Sequence, residues 1–371
     1  MAGKGVRTGG TVNAPIAILL GFAALGALDE CLGGKLGVAQ EFQRGLGAMG
    51  SLCLSMLGIY SVVLSALSDV AVQPDIAALP FDAALPAGFF LACDMGGWAL
   101  AQALASTPQM AVYAGLLVAS TLGCLISFVL PASLGTLQSH ETMGFMQGVL
   151  WGIVALPAGL LLGGIVLGLA PLSLLQNWWP VALLCVVLCL ALRFVPRACM
   201  RTLACVGGAV RVAGIVLFCA VMLGLFVPAF AVADLPAVYE ALVIVAKVAV
   251  VMGGSMVASG LVLAKCGRWL AGVAARLGVN EYAVLGLAAS LVSSISMLPL
   301  YSRMDVRGKV MNAAFTVAGA FVLGGQMAFV SSVADGRAVA AYFAAKLSAG
   351  VLAVWLAARF TQNVPIQDIK K

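Results

Sequence analysis

Asp94 lies near the centre of an apolar run from Ala83 to Ala105. An ionised carboxylate there costs about 2.5–3.5 kcal/mol on insertion scales, so it is expected to face a cavity or a partner and not lipid. Gly88, Gly96 and Gly97 crowd it, permitting a close backbone approach or a helix break, and Pro86 stands at the entry. Phe90 and Trp98 flank it at helical spacing, so an unbroken helix would put both rings on the carboxylate's face. A carboxylate walled by aromatic faces is a receptor for an organic ammonium. The charges pair, and the rings add about 2 kcal/mol or more of cation–π attraction once desolvated. The competing readings are an Asp paired with Lys or Arg of a neighbouring helix, or one lining a proton path.

Uncharged polar groups occur later in the chain at matching depth. Gln326 follows Gly324-Gly325, Asn312 and Thr316 share one helical face, and Ser293, Ser294 and Ser296 interrupt a span before Pro299. Such groups suit a hydroxyl, or a cation held through freed carbonyls. The serines are equally ordinary packing contacts between membrane helices. Glu240 and Lys247 share a span and are expected to satisfy each other or other helices. Asp29 and Glu30 end the first span as interfacial residues, and Trp178-Trp179 before Pro180 reads as an aromatic belt.

The elements that position these residues follow from composition. The chain is 63% hydrophobic and 9% charged, which makes lipid its solvent. A bilayer core of about 30 Å takes roughly 20 apolar residues as a helix. Long apolar runs without period-2 alternation favour helices over a closed barrel. The expected fold is an all-α polytopic membrane protein of about eleven spans, a single transmembrane domain over 1–371. The spans fall near 14–30, 45–68, 83–105, 110–132, 145–172, 178–194, 207–232, 236–264, 283–301, 311–334 and 338–358. The span 145–172 holds Pro157 and Gly163-Gly164 and is expected to tilt, kink or re-enter. Lys4 and Arg7 ahead of an apolar run resemble a signal peptide, but that run leads into a segment with a partner later in the chain.

Several function classes are disfavoured. The basic residues cluster beside apolar segments, where topology and headgroups use them, so no nucleic-acid partner is expected. Cys53, Cys93, Cys124, Cys185, Cys189 and Cys219 lie in apolar segments and no C-x-x-C pair occurs, so neither a disulfide framework nor a zinc site is suggested. His140 is the single histidine and sits in a polar loop with Gln138, Ser139 and Glu141. No cofactor, no metal and no enzymatic chemistry are expected. The partners are a small molecule and the bilayer, and a homo-oligomer is compatible with the sequence.

An internal repeat is visible. Lys35-Leu36-Gly37-Val38 with Glu41-Phe42 is echoed by Arg276-Leu277-Gly278-Val279 with Glu281-Tyr282. Ala87-Gly88-Phe89-Phe90 leading to Asp94-Met95 is echoed by Ala318-Gly319-Ala320-Phe321 leading to Gln326-Met327. A first repeat over 14–132, middle helices over 145–232 and a second repeat over 236–358 follow. The repeats are offset by an odd number of crossings, hence inverted in the membrane, with broken or re-entrant helices and a site near midplane. Charge bias leaves orientation open: Arg193, Arg197 and Arg201 with Lys265, Arg268 and Arg276 oppose Arg303, Arg307 and Lys309 with Lys35 and Arg44. Asp305 is a candidate partner for a neighbouring Arg.

At Glu41 to Gly50, at Ala92-Cys93-Asp94-Met95-Gly96-Gly97 and at Met304-Asp305-Val306-Arg307-Gly308-Lys309-Val310-Met311-Asn312, the chain resembles the EutH-type ethanolamine permeases of bacterial ethanolamine-utilisation operons. The similarity runs over most of the chain. It implies ethanolamine uptake, as the ammonium, across the bacterial cytoplasmic membrane by facilitated diffusion or secondary transport. On that reading Asp94 takes the ammonium, Trp98 and Phe90 wall it, and Gln326, Asn312, Ser293 or Ser294 hold the hydroxyl. The family pattern carries an Asp-His pair where this chain has Gly325-Gln326 and two Asn where it has Ser293-Ser294. These departures keep open an ion-coupled carrier of a related amine such as choline or a methylated amine.

Overall fold

A computed structural model describes residues 14–69, 80–138, 140–265 and 267–361. Lys4, Arg7 and Ser139 lie outside the described residues. The elements are α1 (Ala14–Cys31), α2 (Ala39–Leu52), α3 (Gly58–Asp69), α4 (Leu85–Phe90), α5 (Trp98–Leu104), α6 (Pro108–Val112), α7 (Leu130–Thr136), α8 (Thr142–Leu167), α9 (Pro171–Phe194) and α10 (Pro196–Phe226). They continue with α11 (Leu235–Lys265), α12 (Gly267–Leu277), α13 (Glu281–Val292), α14 (Ser294–Tyr301), α15 (Val306–Ala318), α16 (Gly325–Val333) and α17 (Gly336–Phe360). The described residues contain no strand. Among the described residues, seven helical stretches are long and apolar enough to cross a membrane, including α8, α9, α10, α17 and the run Pro108–Thr136. The chain is an all-α polytopic membrane protein. Besides α1, the expected spans outside those seven are broken helices: α4 with α5, α13 with α14, and α15 with α16.

Burial separates scaffold from lipid-facing shell. The run Pro108–Thr136 is 89% buried over its most apolar window, whereas the matching figure for α10 is 11%. An apolar helix with so little of its surface covered by protein has lipid as its other neighbour. Close packing at the centre uses small residues, as expected where helix association depends on van der Waals fit. At Gly148 and Gly152 of α8, a Cβ would fall 2.3 Å from the Val310 carbonyl and 2.5 Å from Val317 of α15.

Three boundary expectations are corrected. The span 145–172 is one continuous helix, α8, running through Pro157 and ending at Gly168 in the left-handed conformation (φ +80°). The Trp178 indole donates to the Pro157 carbonyl at 2.7 Å, so Trp178 ties α9 to α8, while Trp179 is 41% exposed. Helices α9 and α10 both begin earlier than read, and Arg197 and Arg201 lie inside α10 and not in a loop.

Candidate functional site

The first break is built around Asp94. Helix α4 stops at Phe90, Leu91 and Ala92 are extended, and an irregular turn over Cys93–Gly97 leads into α5. Ala92 N–H, freed by the break, donates to the Ser127 hydroxyl at 3.1 Å. Gly96 has φ +95°, a conformation costly for any residue with a Cβ. Asp94 is surrounded by buried Cys93, Met95, Gly96, Gly97 and Trp98, yet it keeps accessible surface. Among the described residues no cation lies within ion-pairing distance of it and no other residue's hydrogen bond reaches its carboxylate.

The break overturns the helical-face argument for the aromatics. Phe90 ends α4 and is 43% exposed, edge-on to Phe89, whereas Trp98 begins α5 and is 5% exposed. The extended pair Leu91-Ala92 removes the regular spacing on which their shared face depended.

The second break lies between α15 and α16. The loop 319–324 is held by backbone of the α13–α14 junction: Phe321 N–H donates to Ser290 O at 3.0 Å and Leu323 N–H to Leu291 O at 2.8 Å. A Cβ on Gly324 would fall 1.8 Å from the Val292 carbonyl, so only glycine lets the two chains approach this closely. The Ser255 hydroxyl of α11 donates to Leu323 O, and the Tyr342 hydroxyl of α17 donates to Phe321 O at 2.8 Å. Phe321 is the single non-glycine with positive φ (+64°) among the described residues.

A residue absent from the expected set joins the two breaks. Lys346 of α17 is 1% exposed, and its ammonium donates to Gln326 Oε1 at 2.7 Å and to Ser120 O at 2.8 Å. It lies 5.5 Å from the Tyr342 ring centre and 5.9 Å from that of Phe321. Cys93, Asp94 and Cys124 are within its electrostatic reach, and the Cys124 thiol also contacts the Gln326 amide. Ser120 belongs to a π-helical stretch, Tyr113–Gly123, a form that recurs at functional sites. The signal for Lys346 was available: one lysine inside the apolar span 338–358 is as costly as Asp94 and calls for the same question.

Of the expected site residues, the structure brings Asp94 and Gln326 within reach of Lys346, while Trp98 begins α5 just beyond the turn that bears Asp94. Asn312 is fully buried, its amide N–H groups donate to Ala283 O and Gly308 O, both at 2.9 Å, its side-chain carbonyl has no hydrogen-bond partner among the described residues, and Thr316 bonds back to Asn312 O. Ser293, extended at φ −156°, forms the α13–α14 break, and Ser294 is buried just after it. Glu240 of α11 accepts from Tyr60 of α3 at 3.0 Å while Lys247 is exposed, so of the two expected arrangements Glu240 takes the bond to another helix. Asp305 caps α15 and accepts from Asn280 N–H, in place of an Arg partner. Asp29 is buried and accepts from the backbone of Leu36, Val38 and Ala39.

A cavity of about 570 Å³ lies at one end of this arrangement, lined by Trp98, Gln102, Ser106, Gln109, Asp335 and Arg337. Leu167, the last residue of α8, also borders it. At the opposite end of α8, Glu141 pairs with Lys309 at 2.9 Å, and the Lys309 ammonium sits 5.4 Å from the Tyr301 ring centre. The 26 residues of α8 separate the two features by roughly 39 Å of helix. One end thus holds a cavity lined by polar and apolar side chains, and the other carries a largely buried ion pair.

A family model described as "Ethanolamine utilisation protein, EutH" matches residues 13–360. The chain is 34% identical to the "Probable ethanolamine permease EutH" of Listeria monocytogenes, over 91% of each chain. It is 30% identical to the protein of that name from Salmonella typhimurium, over 92% of this chain and 93% of the relative. It is 33% identical to the "Uncharacterized protein YxeR" of Bacillus subtilis, over 97% of each. No solved structure matches. The match covers nearly the whole chain, and this chain belongs to the EutH family of ethanolamine utilisation proteins.

Proposed function

We propose that this chain carries ethanolamine, as its ammonium, across the bacterial cytoplasmic membrane by alternating access, through facilitated diffusion or secondary transport. The observation that carries this reading is the Asp94 carboxylate: deep among helices, without a protein partner at bonding distance, and still accessible. An intramembrane carboxylate left open in this way suits a cation that comes and goes. Trp98, one residue beyond the turn bearing Asp94, lines the cavity. Gln326, whose amide oxygen accepts from Lys346 at 2.7 Å, keeps an amide N–H to offer the hydroxyl of an amino alcohol. Phe90, Ser293 and Ser294 are left as flanking groups and Asn312 as a structural strut.

The halves 14–132 and 236–358 fit a pair of inverted repeats. Each holds a broken helix, 85–104 and 306–333, followed by a long span, Pro108–Thr136 and Gly336–Phe360. The cavity at one end of α8 and the ion pair at the other fit a carrier caught open to one side, with the Glu141–Lys309 pair as the closed gate. Helices α8–α10 form the middle segment.

The test is ligand-induced stability of the detergent-purified protein, with Asp94→Asn beside the parent chain and choline and an uncharged diol beside ethanolamine. A ligand at a hundredfold excess over Kd stabilises by about 2.7 kcal/mol. Ethanolamine is expected to stabilise the parent and not Asp94→Asn, and equal responses would refute the site. Uptake of labelled ethanolamine into liposomes holding only this protein tests transport itself.

A further inference from the structure

We propose that the Lys346 ammonium and the substrate's ammonium are alternative occupants of one cation site, so that binding an amine expels a proton from Lys346. The inference rests on the amine-transport reading and deepens it. Around the Lys346 nitrogen stand an amide oxygen (Gln326, 2.7 Å), a backbone carbonyl (Ser120, 2.8 Å) and two aromatic rings (Tyr342, 5.5 Å; Phe321, 5.9 Å). Carbonyl oxygens with aromatic faces are what a free organic ammonium seeks. The protein has built such a receptor and seated its own ammonium in it. Phe321 holds its ring there from a strained backbone, pinned through the Ser290 and Tyr342 hydrogen bonds.

The charge balance gives the seat a consequence. The titratable groups facing Lys346 are Cys93 and Asp94 from the turn after α4, Cys124 beyond the π-helical stretch, and Tyr342 on its own helix. Helices α8 and α16, which also pack on α17, carry no titratable side chain, and α15 carries Arg307 and Lys309 in its first turns, Lys309 being bound to Glu141. Among the described residues Asp94 is therefore the one carboxylate in reach, and one carboxylate neutralises one ammonium. A second unit positive charge about 4 Å away, at an effective dielectric of about 20, shifts a protonation equilibrium by about a thousandfold. When the amine's ammonium enters, a Lys346 N–H bond breaks, the electron pair stays on Nζ and the proton leaves to water. The site's net charge is the same before and after, and nothing is oxidised or reduced.

The experiment is titration calorimetry of the full-length protein with ethanolamine in two buffers of different ionisation enthalpy, at several pH values from 6 to 8. Bound carbon-13-labelled ethanolamine is followed in parallel by NMR. The expected result is about one proton released per amine bound, an apparent Kd that falls about tenfold per pH unit, and the chemical shift of the ammonium form for the bound ligand. Lys346→Gln is expected to bind with no proton release and a flat pH profile. Binding without release by the parent chain, release undiminished in Lys346→Gln, or a bound ligand in its free-base form would each overturn the inference and leave the transport reading intact. No binding at all by the parent chain would overturn both. If Lys346→Gln does not fold, the parent chain's proton count, pH slope and ligand shift decide the question alone.

Discussion

Substituting Gln326 by Leu tests whether the junction between the two breaks is an ammonium site. Lys346 is buried, and Gln326 Oε1 is one of its two oxygen acceptors. A hydrogen bond to a charged group contributes about 1.5–3 kcal/mol, and an unsatisfied buried donor costs the same order again in lost solvation. Leu has nearly the volume of Gln, so Gln326→Leu opens no cavity, and its expected cost is about 1.5–3 kcal/mol. Removing both partners with groups of similar shape is close to neutral. The double variant Gln326→Leu/Lys346→Met should therefore be more stable than Gln326→Leu alone, with a coupling energy of about 1.5–3 kcal/mol. The assay is equilibrium unfolding of the parent, both single variants and the double in mixed micelles. Effects that add to within about 0.5 kcal/mol, as for independent sites, would refute the reasoning and with it the ammonium seat.

Two further outcomes follow from the same geometry. Lys309→Met leaves the Glu141 carboxylate, whose side chain is 3% exposed, with one backbone donor at 3.3 Å. The expected loss approaches the roughly 3–5 kcal/mol of a broken buried pair, and adding Glu141→Gln should recover most of it in thermal unfolding. Gly96→Ala forces a Cβ onto φ +95° and to within 2.3 Å of Ile59 Cγ2. It should cost about 1–3 kcal/mol and also weaken ethanolamine-induced stabilisation, because the same turn carries Asp94. Full ligand response in Gly96→Ala would separate the turn from the site.

The expected cost of burying a charge in hydrocarbon singled out Asp94, which lies among buried neighbours, and the same reasoning applied to Lys346 would have drawn attention to the buried lysine as well. The helical-face argument failed at Phe90 because it assumed regular spacing through a turn that is not helical. Proline does not mark the breaks. Pro157, Pro180 and Pro299 all lie inside continuous helices, while the chain breaks at Leu91-Ala92, at Ser293 and over 319–324, where no proline stands. With 43 glycines and 14 prolines in the chain, composition alone does not choose among so many candidate breaking points.

What chooses is the supply of hydrogen-bond partners from elsewhere in the fold. A break in the bilayer is stable where neighbouring groups satisfy the backbone it frees. Ala92 N–H finds the Ser127 hydroxyl, from a helix 35 residues later. Phe321 and Leu323 N–H find carbonyls at the end of α13, and the carbonyls of the same two residues accept from the hydroxyls of Tyr342 and Ser255. Each donor or acceptor is remote in sequence, so the breaks are tertiary facts that local pattern does not encode. Tyr342 and Phe321 serve in both places. The hydroxyl of Tyr342 holds the Phe321 carbonyl of the broken segment, and the two rings stand 5.5 and 5.9 Å from the Lys346 ammonium, so the arrangement that makes an interrupted helix tolerable in lipid also helps seat that charge.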